Sequence, residues 1–166
     1  FFRPLTDSRP EALGLLDDAA VLTPTPSHQI VVTSDALTEG VHFLSSTRAS
    51  DVAHKALGVN LSDLAAMGAV PLAYTLTLSL PVSTDDAWFA DFSSGLAQCQ
   101  SAHGIFLAGG DTTGTNGPLG LSITAFGQVP EGRALTRGGA QPGDDLYVSG
   151  TIGDAALGLL VVRDGK

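Results

Sequence analysis

The sequence predicts an α/β or α+β fold, in which strand segments alternate with amphipathic helices. Short segments rich in apolar and β-branched residues, bounded by Gly, Pro and Asp, recur along the chain. Two longer segments between them repeat apolar residues at helical spacing. The resulting strand–helix–strand–helix–strand order predicts crossover connections through both helices.

The first part of the chain contains two predicted strands. Residues 1–15, with Pro4 and Pro10, are interpreted as an irregular lead-in. Asp17 to Thr23 forms the first predicted strand, and Gln29 to Ser34, which is rich in β-branched residues, forms the second. A loop that ends near His42 follows the second strand.

The first helix is predicted from about Asp51 to Met67, with Ser50 as its N-cap and Gly68 at its end. Pro71 to Leu80 then alternates strictly over YTLTLSL, which is typical of a half-buried strand. The second helix is predicted to start at a capping-box-like Ser83 and to run to about His103. Its apolar face is interpreted as core packing.

The remaining elements complete one domain and open another. The predicted strands are Ile105 to Gly110, Leu119 to Val129 and Asp145 to Ser149, and a last helix is predicted from Gly153 to Arg163. We expect residues 1–140 to form an N-terminal domain and residues 141–166 to be the beginning of a truncated C-terminal domain.

Composition and charge exclude several classes of protein. A chain of 166 residues can bury roughly 70% of its unfolded surface, so it needs no disulfides, and it has only Cys99. Its net charge is −9 and its eight Lys and Arg residues are scattered, which argues against a nucleic-acid surface. No apolar run of about 18 residues and no signal peptide is visible. We therefore expect a cytoplasmic protein without membrane or nucleic-acid partners.

Four aspartates suggest a metal site. Asp63 shares the apolar stripe of the first helix with Val59, and an inward carboxylate needs a cation or donors. Asp63 could instead cap a helix break or bond to a loop. Asp17, Asp35 and Asp111, however, also lie at the ends of apolar strand-like segments. This repetition favours a metal over solvated surface charge.

Five motifs carry a resemblance to a known family. They are LLDDAAVL, VVTSDALTEGVHF, VNLSDLAAMG, LAGGDTT and GRALTRGGAQPGD, and the chain has neither GxxxxGK[ST] nor GxGxxG. In order and spacing they resemble the thiamine-monophosphate kinases within the aminoimidazole ribonucleotide synthetase-like family. The resemblance implies a mixed sheet with helices on one face, in an ATP- and Mg-binding domain that dimerises through its sheet. We place Leu78 in that expected interface.

The resemblance also implies an activity, which is the ATP- and magnesium-dependent phosphorylation of thiamine monophosphate to thiamine diphosphate by a homodimer. No catalytic side chain is expected, because the acceptor phosphate itself attacks, and we expect the isolated chain to be inactive. The implied magnesium ligands are Asp17, Thr33, Ser34, Asp35, Asp63 and Asp111. The implied ATP-binding residues are Gly110, Asp111 and Arg137, and His42 is the implied substrate-binding residue.

Two features leave alternatives open. The family usually has glycine before the first aspartate pair, whereas this chain has Leu16, which puts the geometry at Asp17 in question. A first alternative is another enzyme of the family, with an amidine, selenide or carbamoyl acceptor, since these enzymes differ in N-terminal segments and second domains that this sequence does not contain. A further alternative is a dimerisation and nucleotide-binding module without activity.

Overall fold

A computed structural model describes residues 1–164 and divides the chain into two compact units, Phe1–Leu135 and Thr136–Lys166. The first unit begins with two short 3-10 helices, Arg3–Thr6 and Pro10–Leu15. Its main elements are β1 His28–Thr38, α1 Ala49–Ala66, β2 Val70–Pro81, α2 Asp86–His103, β3 Phe106–Thr115 and β4 Gly120–Pro130.

The four strands form one mixed sheet in the order β1-β4-β2-β3. Strand β4 pairs antiparallel with both β1 and β2, and β3 lies parallel to β2. The crossover from β2 to β3 passes through α2, as the order of elements predicts. Strands β1 and β3 are therefore the two edges, and the predicted mixed sheet is confirmed.

Both helices pack on the same face of the sheet. Leu76, Leu78 and Leu80 are buried in one core with Ile123 and with helix residues such as Leu64 and Phe92. The alternate residue Thr77 is exposed on the opposite, open face. The placement of Leu78 in a sheet-to-sheet interface is therefore wrong, because the helices already cover the leucine face.

The helix starts differ from those predicted. Helix α1 starts at Ala49, and its N-cap Arg48 makes no side-chain capping bond. The backbone N–H of Ser50, predicted to be the cap, instead donates to Asp91 Oδ2 of α2 at 2.8 Å. Helix α2 is capped by Asp85 and not Ser83, and Asp85 accepts from the Trp88 N–H. Both helices exist as predicted, but their caps were misassigned.

Two predicted strands are wrong. Residues 17–23 and 145–149 are irregular, because neither segment pairs with a strand of the sheet. Ala20 and Leu22 nevertheless pack beneath the sheet against Ala73, Phe106 and Ala108. The apolar pattern of the first segment thus reflects packing against the sheet and not membership of it.

The second unit contains the 3-10 turn Arg137–Gly139 and helix α3, Asp154–Asp164, which lies close to its predicted range. Gly165 and Lys166, at the end of the predicted second domain, lie outside the described residues. The assignment of residues 141–166 to the beginning of a C-terminal domain stays a prediction. Within residues 1–164, none of the helices is both long and apolar enough to cross a membrane.

Candidate functional site

A cleft of about 290 Å³ lies along the edge strand β3. One side is formed by the middle of β3, including Gly110 and Asp111, and the other by the irregular segment that carries Asp17 and Asp18. All three aspartates are exposed. The cleft therefore brings together two of the predicted metal ligands, Asp17 and Asp111, and adds Asp18, which the DD pair in the sequence could have indicated. We call it the β3-edge cleft.

Gly110 allows strand β3 to lie close against the backbone of β2. Its φ is +157°, and a Cβ at this position would stand 1.8 Å from the carbonyl oxygen of Leu76 on β2. Only glycine fits there without moving one strand against the other. The next residue, Asp111, accepts the N–H of Thr112 through Oδ1 at 2.8 Å. Strand β3 continues beyond it to Thr115, so Asp111 does not end the strand as predicted.

A second group of predicted ligands lies where β1 meets α1. Thr33 Oγ1 donates to Asp63 Oδ2 at 2.8 Å. Asp35 shares the helix-covered face of β1, since it pairs with the buried Ile123. The Ser34 hydroxyl lies on the open face, 2.9 Å from Thr124 Oγ1. The side chains of Thr33, Asp35 and Asp63 therefore lie on the same side of the sheet, and we call them the β1–α1 set.

The inward orientation predicted for Asp63 is wrong, because Asp63 is exposed. The buried stripe of α1 passes instead through Leu57, Asn60 and Leu64. Asn60 is 0% exposed and its Nδ2 donates to the carbonyl of Ala56 at 3.0 Å. The polar residue that the stripe buries is thus Asn60, whose spacing from Leu57 and Leu64 already places it between them.

The two groups are separate within the chain. Strands β1 and β3 are three inter-strand steps apart in the sheet, which is about 14 Å. Asp35 and Asp111 therefore cannot ligate the same ion. Across residues 1–164, no three His, Cys, Asp or Glu side chains come close enough to hold a metal. Magnesium, however, commonly binds one or two carboxylates and completes its shell with substrate phosphates and water, so the oxygen donors of each group suit it.

His42 lies in a turn after β1 that its own side chain helps to close. Its Nδ1 accepts the Thr38 N–H at 3.0 Å, so the neutral ring carries its proton on Nε2. The His42 N–H donates to the Thr38 carbonyl at 2.9 Å. Lys55 of α1 donates from Nζ to the carbonyl of His42. The exposed imidazole is thus held with a donor available to an anionic ligand.

Arg137 and Leu16 are the two predicted positions that remain to be described. Arg137 belongs to the second unit, where it is exposed, and its role in ATP binding stays a prediction. Leu16 has φ −108° and ψ −14°, which any residue adopts, so its backbone does not require the glycine usual in the family.

Comparison with known proteins defines the class. Residues 16–129 match the family described as "AIR synthase related protein, N-terminal domain", and the chain belongs to this family. It is 51% identical over 158 residues to thiamine-monophosphate kinase of Caulobacter vibrioides, covering 95% of this chain and 45% of that protein.

Two solved structures are similar. The crystal structure of thiamine-monophosphate kinase from Stenotrophomonas maltophilia gives a TM-score of 0.88 at 52% identity, over 98% of this chain and 51% of that one. A structure described as AaThiL complexed with AMPPCP and TMP gives 0.80 at 33% identity, over 90% and 47% of the two chains. The chain spans about half the length of the relatives it matches.

Proposed function

We propose that this chain is the nucleotide-binding part of an enzyme that phosphorylates thiamine monophosphate to thiamine diphosphate with ATP and magnesium. The β3-edge cleft carries the proposal, in a chain 51% identical to a thiamine-monophosphate kinase. The AaThiL complex with AMPPCP and TMP, at 33% identity, supports the same pair of substrates. The proposal includes a cytoplasmic location, where ATP is available.

The β3-edge cleft suits the phosphate tail of a nucleotide. Asp17 and Asp111 supply carboxylate oxygens from opposite sides of the cleft, and Gly110 lies beside Asp111 in its lining. Acidic side chains and phosphates repel one another, so a divalent cation is needed between them. Bound magnesium would neutralise the charge on the phosphates, and Asp17 and Asp111 would hold it. Positioning and charge neutralisation are most of what phosphoryl transfer requires.

The acceptor side of the reaction is assigned to His42. A neutral imidazole with its proton on Nε2 can donate a hydrogen bond to a phosphate oxygen, while Nδ1 is occupied by the Thr38 N–H. The attacking atom is an oxygen of the thiamine phosphate, so His42 binds and orients without giving or taking a proton.

The test is binding of AMPPCP with magnesium to the chain, measured by calorimetry. Asp111→Asn removes one carboxylate from the cleft, and we expect it to weaken binding by at least about tenfold, because a hydrogen-bonded or metal-bound charge is lost. Glu131→Gln, at an exposed position after β4, is the charge-matched control and should bind like wild type. Equal affinities for all three proteins would contradict the assignment of the cleft.

We also propose that two copies pair through the open face of the sheet. This face carries the exposed apolar side chains Ile30, Val32 and Val70, with exposed fractions of 39%, 55% and 64%. Val32 lies opposite the half-buried Phe126 in the β1–β4 pairing. These side chains form an apolar patch between the hydroxyl-bearing residues of the same face, and a second copy would remove it from water.

A further inference from the structure

We propose that Lys55 is a positioning residue for His42, which it holds through the main chain of the turn after β1. The inference rests on the proposed function in one respect, which is the role of His42 as a donor to an anionic phosphate. The contact itself is independent of that role. Lys55 donates from Nζ on α1 to the carbonyl oxygen of His42, thirteen residues earlier in the chain.

The turn is closed by several hydrogen bonds between its own residues. The Thr38 carbonyl accepts the N–H of Val41 at 3.1 Å and of His42 at 2.9 Å, and the Thr38 N–H donates to the His42 ring. The Gly40 N–H donates to the carbonyl of Phe43 at 2.8 Å. These bonds all lie within the turn and its own strand. They connect residues within the turn, but they do not join the turn to α1, the helix that carries Asp63.

Lys55 supplies a polar connection to that helix. The Phe43 side chain packs against the core, but this apolar contact does not orient the His42 carbonyl. An ammonium that donates to the His42 carbonyl fixes the peptide plane next to the imidazole, and charge-assisted bonds are stronger than neutral ones. With the peptide held, the ring keeps Nδ1 on Thr38 and presents Nε2–H. Lys55 thereby supports the Thr38–His42 bond that sets the tautomer, without touching the ring itself.

The first measurement follows the ring in the chain without ligand. Long-range nitrogen-15 NMR should show neutral His42 as the Nε2–H tautomer in wild type. Lys55→Met keeps the apolar stem and removes the donor, so we expect mixed tautomers and roughly five- to tenfold faster exchange of the Thr38 amide. Lys55→Arg should restore both readouts. Arg48→Met, which removes a positive charge at the start of α1, should resemble wild type. Wild-type spectra in Lys55→Met, or mixed tautomers in Arg48→Met, would overturn the inference.

The second measurement separates positioning from function. We expect Lys55→Met to bind thiamine monophosphate roughly five- to tenfold more weakly than wild type does. Lys55→Arg should bind it about as tightly as wild type. If wild type does not bind thiamine monophosphate while the tautomer still depends on Lys55, the proposed substrate is wrong and the positioning role stands. If Lys55→Met binds as tightly as wild type, Lys55 does not position the donor for this ligand.

Discussion

At the scale of single residues, Gly109 and Gly110 make a matched pair in the β3-edge cleft. A Cβ on Gly110 would collide with the Leu76 carbonyl, whereas a Cβ on Gly109 would meet no atom within 4 Å. We expect Gly110→Ala to destabilise the protein by about 1–3 kcal/mol, a typical cost of overpacking. Gly109→Ala should stay within about 0.5 kcal/mol of wild type. Urea denaturation measures both, and equal stabilities would show that β3 adjusts without cost.

A buried hydrogen-bond chain links the sheet to the first residues of the protein. The Tyr74 hydroxyl donates to Gln100 Oε1, and Gln100 Nε2 donates to the Leu5 carbonyl, each at 3.0 Å. Tyr74→Phe leaves the Gln100 oxygen buried without its donor, so we expect a loss of about 1–2 kcal/mol at neutral pH. Tyr147→Phe is the control, because Tyr147 is 90% exposed and should tolerate the change.

Tyr74 also makes the stability of the folded protein depend on pH in the alkaline range. Burial, with a smaller effect of Cys99, raises the pKa of Tyr74 well above its usual range. An acid whose pKa is raised by folding stabilises the native state fully below its unfolded pKa, about 10 for Tyr, and loses this contribution as pH rises. The stability difference between wild type and Tyr74→Phe should therefore shrink above about pH 10. Urea titrations at several pH values measure it, and a difference that stays constant would contradict the burial argument.

At the scale of elements, the contact between α1 and α2 depends on one glycine. A Cβ on Gly95 would lie 2.5 Å from the Ser50 carbonyl and 3.0 Å from Ala53 Cβ, so the helices would have to separate. We expect Gly95→Ala to cost about 1–3 kcal/mol. Gly58→Ala, inside α1 but in open space, should stabilise by about 0.5–1 kcal/mol through helix propensity. Thermal unfolding followed by circular dichroism gives both values, and a shift of the same sign in both variants would contradict the packing argument.

The local pattern of apolar residues predicted the helices and strands in which that pattern repeats regularly. Helices α1 and α2, strand β2 and the order of strands and helices along the chain follow from apolar spacing, which the chain displays residue by residue. The segment 17–23 was mispredicted because strand formation needs a neighbouring strand, which no local pattern reveals. Asp63 was mispredicted for a related reason, since one residue of rotation on a helix separates the exposed Asp63 from the buried Leu64.

The sequence predicted which types of residue the candidate site contains, but it only partly predicted which of these residues lie together. The DD pair, TSD, NLSD and GGD indicated where oxygen ligands lie in the chain. Their division into the β3-edge cleft and the β1–α1 set depends on which strands form the sheet edges. The bond from Lys55 to His42 depends on how α1 packs across the turn. Neither relation has a signal in local sequence, because both arise from tertiary packing.

At the scale of the whole molecule, the open face of the sheet determines the proposed association. Val32→Lys places a charge within the apolar patch, and we expect it to convert a dimer into monomer at micromolar concentration. Val82→Lys, at an 85% exposed position just after β2, should leave the dimer intact. Sedimentation velocity distinguishes these outcomes, and a wild-type chain that sediments as a monomer would contradict the interface.

The order of strands in the sheet also governs when the fold can form. Strand β1 comes first in the chain, yet its partner among the described strands is β4, the last of the four. During synthesis, the backbone N–H and C=O groups of residues 28–38 therefore cannot form their strand-to-strand hydrogen bonds until residues 120–130 have been made. Contacts so distant in sequence slow folding, because a long loop must close before they form. Until then, the apolar residues of β1 stay accessible to chaperones and to other unfolded chains.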